Sequence, residues 1–234
     1  MGIILYNFSK SHFNSSTGGL FGSDIKQREV KKIWVSYSEL SEDKLKNELS
    51  DSKDLSQHPA LAFQNISKES HRQVPSLPIR FPTVVKDDKD IDALVENNRT
   101  DIYQHLNLYG QCQEHAFFFK SSDANNLSQP GDLNEKKGPG TAYLKKKLAT
   151  QSLPKINDNE KNNIVRALTD LFHEEVLSVH SKMNEDGIKV HLLSHNHWQP
   201  TTRSIQLLSE KAKGQEVYFL GTYPPFHFAQ LNLY

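Results

Sequence analysis

The sequence predicts an α+β protein of two small domains, residues 1–110 and 111–234, and three observations carry that expectation. Its 234 residues exceed the roughly 100 to 150 over which one hydrophobic core usually extends. Segments with strand and helix periodicity alternate in both halves, in the order β, β, α, β, α and then β, α, α, β, α, β. Gly110 follows the most regular amphipathic segment of the first half, where a helix is expected to end through a left-handed residue. Such an order suits mixed sheets with helices on one face. The second half fits a modified form of the split βαβ arrangement called ferredoxin-like.

Residues 2–8 are apolar and β-prone, and Ile33–Tyr37 repeats that character, so two strands are expected. Ser9–Gly22 between them holds Ser15-Ser16-Thr17-Gly18-Gly19, a composition of turns and loops. Ser38–Gln57 mixes both charge signs without an apolar stripe and reads as a solvated helix or loop. His58–Val74 carries helical spacing up to Pro75, and Leu77–Val85 follows as a strand. In Asp87–Tyr109, Ile91, Leu94, Val95, Ile102 and Leu106 recur near 3.6 residues, and three aspartates favour its N-terminal end.

Glu114–Lys120 reads as a buried strand, and residues 121–140 as a flexible loop rich in Ser, Asn, Pro and Gly. Leu168, Leu171, Phe172, Val176 and Val179 mark one face of a long helix from Asp158 to Lys182, closed by Gly187. Ile188–His195 and Gln215–Leu220 read as strands. Pro200–Lys213 between them is a helix opened by Thr201 or Thr202.

Composition narrows the function classes. Lys+Arg and Asp+Glu both total 28, so no net field draws in nucleic acid or an anionic membrane. Partners are expected to be recognised by shape and apolar contact. The longest apolar runs fall far short of the roughly 20 residues that cross a bilayer. The N-terminus has neither a basic region with a cleavage site nor the Ser or Thr of a myristoylation pattern. One cysteine, Cys112, fits a reducing compartment, so cytoplasmic residence is expected.

Three segments carry wording beyond periodicity. Leu77-Pro78-Ile79-Arg80-Phe81-Pro82-Thr83-Val84-Val85 resembles the Leu-Pro, aliphatic, Arg-Phe-Gly-Thr pattern of the gas vesicle GvpF/GvpL family. Gly138-Pro139-Gly140-Thr141-Ala142-Tyr143-Leu144, followed by Lys145–Lys147, is similar to that family's Gly-x-x-Ala-Tyr-Leu with basic residues. Gly221-Thr222-Tyr223-Pro224-Pro225-Phe226-His227-Phe228 resembles its closing Gly-Pro-Trp-Pro-Pro-Tyr-x-Phe. The sequence departs from the pattern at Pro82, Thr222 and Tyr223, where Gly, Pro and Trp are usual. The resemblance implies an N-terminal ferredoxin-like domain, a second α+β domain and a role in gas vesicle formation. The small shell protein GvpA is the implied partner, with other gas vesicle accessory proteins. Neither cofactor nor turnover is implied.

Read physically, Leu77-Pro78 must be extended, and Leu77, Ile79 and Phe81 then alternate onto one sheet face with Arg80 on the other. Arg80 is either a structural partner of a carboxylate or part of an interface. Tyr143 and Leu144 divide in the same way between core packing and a partner surface. Pro224-Pro225 fixes the backbone around Tyr223, Phe226 and Phe228, which either seal a core or form an apolar interface at low entropic cost. Two alternatives belong to other classes. Alternate His residues on a strand, His191, His195 and His197, suit a metal-dependent hydrolase, although no His-Glu-x-x-His accompanies them. The other is a scaffold of the same family serving a process unrelated to gas vesicles.

Overall fold

The computed structural model describes residues 2–16, 18–41, 44, 58–120, 158–184, 187–195, 198–212, 215–229, 231 and 233. Its elements are β1 (Gly2–Ser9), a 3-10 turn (Leu20–Gly22), β2 (Lys26–Val30), β3 (Ile33–Leu40), α1 (Pro59–Gln73), β4 (Ser76–Val85), α2 (Asp88–Asn97) and α3 (Arg99–Tyr109). These are followed by β5 (Cys112–Lys120), α4 (Asp158–Leu171), β6 (Val176–Asn184), β7 (Gly187–His195), α5 (Thr202–Lys211) and β8 (Val217–Tyr223). No described helix is long and apolar enough to cross a membrane.

The first sheet has the order β2-β3-β1-β4, and its three pairings are antiparallel. This is the ferredoxin-like order, with the first crossover helix replaced by an extended stretch around the 3-10 turn. Every residue of β1 is buried, so the sheet needs cover on both faces, not one. Ile3, Leu5 and Phe8 meet Ile91, Val95, Ile102 and Leu106 of α2 and α3. Ile4 and Tyr6 meet Phe63 and Ile66 of α1 on the other face. A bulge between Leu5 and Asn7 shifts the parity, which is why Phe8 and not Asn7 faces α3.

β2 has no counterpart in the sequence reading because it is a polar edge strand. Only Val30 of Lys-Gln-Arg-Glu-Val is buried, so no alternation announces it. Lys31 and Lys32 both take positive φ, 51° and 68°, in the two-residue turn to β3. Such turns usually advertise themselves with Asn or Gly. The amphipathic stretch expected as one helix over Asp87–Tyr109 is two. Asn98, at φ −109° and ψ 13°, interrupts it and donates from Nδ2 to Leu94 O at 2.8 Å. Gly110 is right-handed, at φ −62° and ψ −18°, and not the expected left-handed terminator. Its N–H still closes the helix on Leu106 O at 3.1 Å.

The second sheet has the order β6-β7-β5-β8. With α4 between β5 and β6 and α5 between β7 and β8, this half has the full βαββαβ order. Phe117, Phe119, Ile188, Val190 and Leu192 of the sheet pack on Ile164 and Leu168 of α4 and Leu208 of α5. Thr201 caps α5 in a capping box with Ser204. The long helix expected over 158–182 ends at Leu171. Phe172 N–H makes the last helical bond, and Glu175 and Val176 N–H both turn back to Phe172 O at 2.9 Å. The residues after it form strand β6. Val176 and Val179 suit either period, and their β-branching favours the strand.

Tertiary contacts group Met1–Glu114, Leu193–Asn196 and Thr222–Tyr234 as one unit, and His115–Leu192 with His197–Gly221 as another. A single cut after residue 110 therefore does not describe the grouping, because the closing residues join the first unit. The loop expected over 121–140 and the segment Gly138–Lys147 with Tyr143 and Leu144 lie outside the described residues.

Candidate binding site

Strand β4 starts in register with β1, Asn7 opposite Pro78, and resumes with Leu5 opposite Thr83. Two steps on β1 thus answer five on β4, and Ile79–Pro82 swing out of the ladder. Thr83 Oγ1 donates to Arg80 O at 2.6 Å and closes the excursion, which includes a cis Phe81–Pro82 bond. The excursion breaks the expected alternation. Leu77 and Ile79 remain in the α2–α3 face of the core, whereas Phe81 packs on the α1 face, its ring centre 5.1 Å from that of Phe63. Pro78 is buried and Arg80 exposed. Among the described residues no carboxylate pairs with the Arg80 guanidinium, in contrast to Arg28, which holds Asp92 through two bonds of 2.7 Å.

The closing segment folds into the same region. Pro224 and Pro225 are buried, and Phe226 and Ala229 N–H bond back to Pro224 O and Pro225 O at 2.7 and 2.9 Å. Phe226 is half-buried against the α1 face of the core. Ala229 is buried in the other face, with Leu231 and Leu233 packed against it. Next to Phe226, His227 donates its backbone N–H to Glu114 Oε2 at 2.8 Å, and its Nδ1 lies 2.6 Å from Oε1. The Glu114 side chain is 1% exposed. A buried carboxylate bonded to a backbone N–H and a ring nitrogen fixes this turn. Tyr223 is half-buried, with Lys68 Nζ 4.1 Å from its ring centre. Burial pushes the Tyr223 phenol up and, with Arg72 nearby, pushes the Lys68 ammonium down. Phe228 is half-buried.

Between these pieces lies a cavity of about 540 Å³. Phe8, α1 from Ala60 to Gln64, the β4 excursion from Pro78 to Phe81, and Phe226, Ala229, Leu231 and Leu233 supply its walls. Among the described residues Gln64 and Arg80 are its polar side chains, and none that lines it is acidic. Two of the three segments singled out in the sequence, 77–85 and 221–228, therefore share one cavity. Leu61, Leu231, Leu233 and Glu114 were not singled out. The apolar residues at 229, 231 and 233 alternate like a strand, and Glu114 is an acid opening an apolar strand, so both had a readable signal.

His191 is buried within β7, His195 is exposed at the end of that strand, and His197 is outside the described residues. Cys112 is buried, its thiol pushed up by burial and placed 3.4 Å from Leu108 O. It has the surroundings of a structural thiol and not of a nucleophile.

Fold and site together define the class, an α+β protein of two ferredoxin-like halves with an apolar cavity in its first unit. The chain belongs to the gas vesicle synthesis protein GvpL/GvpF family, whose sequence profile matches residues 2–230. Its fold is similar to the crystal structure of the gas vesicle protein GvpF from Anabaena sp. PCC7120, with a TM-score of 0.69 at 16% identity, over 99% of this chain and 97% of that one. GvpF from Microcystis aeruginosa is similar too, with a TM-score of 0.66 at 13% identity, over 98% of this chain and 99% of that one. No curated protein matches the chain in sequence.

Proposed function

We propose that this protein is a non-catalytic accessory or minor structural component required for gas vesicle formation, acting in the cytoplasm and at the vesicle by binding the shell protein GvpA. One observation carries the reading: two segments with the family's wording, 77–85 and 221–228, meet at one exposed apolar cavity. An apolar cavity with few polar groups is the form that ligand and peptide sites commonly take. Arg80, Phe81 and Phe226 are its proposed contact residues, and Tyr223, Pro224, Pro225 and Phe228 hold the closing wall.

Deleting the gene in its host tests the requirement. Buoyant vesicles should be lost and return when the wild-type gene is restored. Normal vesicles in a host with no redundant paralogue would contradict the reading.

A further inference from the structure

We propose that the cavity of the first unit docks an extended apolar segment of the shell protein that carries an acidic side chain, with Arg80 as the counter-charge. This rests on the shell-binding reading and adds the chemistry of the contact. Three observations lead to it. The described walls are apolar except for Gln64 and Arg80, so the occupant gains by burying apolar side chains. Leu61, 45% exposed, presents apolar surface at this site.

Arg80 selects the charge. It is exposed, and among the described residues no carboxylate pairs with it and no acid lines the cavity. A carboxylate brought beside it by the occupant meets a complementary charge.

The chain's own closing residues indicate the shape. Ala229, Leu231 and Leu233 line the cavity at alternate positions, the period of an extended strand. They do so beside the excursion of β4, the edge strand of its sheet, where Ile79–Pro82 leave the ladder with β1. An extended segment with alternate apolar residues matches that spacing.

The test uses the full chain and purified shell protein. Arg80→Glu, Arg80→Gln and Leu61→Ser change exposed positions, and Leu220→Ser, at an exposed residue of β8, serves as a control. Melting temperature and circular dichroism confirm folding of each. The expected result is a loss of about tenfold or more in shell-protein affinity for Arg80→Glu and Leu61→Ser, the scale of a desolvated charge-assisted bond, a smaller loss for Arg80→Gln, and none for Leu220→Ser. Equal affinities for all folded variants would overturn the site while leaving shell binding standing.

If the shell protein does not bind the wild type, the shell-binding reading fails, and a labelled peptide with two alternate leucines and an aspartate decides the site. Binding lost in Arg80→Glu, and weaker for the asparagine version of the peptide, retains the pocket chemistry for another protein partner. No binding of the peptide overturns it. Decanoate has an apolar tail and a carboxylate, and saturable binding of decanoate that displaces the peptide or shell protein would reassign the cavity to a lipid.

Discussion

His71 is buried with both ring nitrogens against backbone carbonyls, Nδ1 3.0 Å from Ser76 O and Nε2 2.7 Å from Cys112 O. Burial pushes its pKa down, and the two carbonyls, which favour the protonated ring, oppose that without reversing it. Its folded value therefore lies below the unfolded one of about 6.5. Between those two values the unfolded chain holds the extra proton, so this contribution to stability is full above about pH 6.5 and is lost as pH falls towards the folded value. Urea midpoints of the wild type and His71→Gln should differ most near pH 7.5 and draw together near pH 5. A gap that widens on acidification would mean that the ring is charged in the folded protein. At this scale the sequence singles out residues of the closing segment but not their partners. Glu114 and His227 are separated by 113 positions, a distance no local pattern spans.

Elements were legible where one face is buried and a boundary residue is diagnostic. The apolar run of β1, Pro59 at the start of α1 and the Thr201 cap of α5 are all local signals. Local signals fail where tertiary pairing decides, as in polar β2 at its sheet edge and in β6, whose valines fit helix and strand periods alike. Gly187, the first residue of β7, reads in sequence only as a helix terminator, and its real constraint is a close approach. A Cβ on Gly187 would lie 2.2 Å from Phe119 O and 2.7 Å from the Phe118 ring. Gly187→Ala should cost about 1–3 kcal/mol in urea unfolding, as overpacking of an ordered site usually does. Gly18→Ala, whose new methyl would meet nothing closer than Ser23 O at 3.7 Å, should be near neutral, and equal effects of the two substitutions would refute the steric account.

For the whole molecule, the sequence order predicted two α+β halves, and family wording predicted where to look for a site. What it did not contain was the route of the chain after Tyr223. The closing segment returns to the first unit, so Phe226, Leu231 and Leu233 share a cavity with a β4 excursion about 150 residues earlier in the chain. Neither segment is a site alone, since one offers Arg80 and Phe81 and the other the apolar wall opposite. Site-specific photocrosslinking reads whether this cavity meets the shell protein. A photoreactive benzoylphenylalanine at Leu61 should give an adduct with GvpA in cells forming vesicles, and the same group at exposed Leu220 of β8 should not. Crosslinking to GvpA from position 220 with none from 61 would place the shell contact away from this cavity.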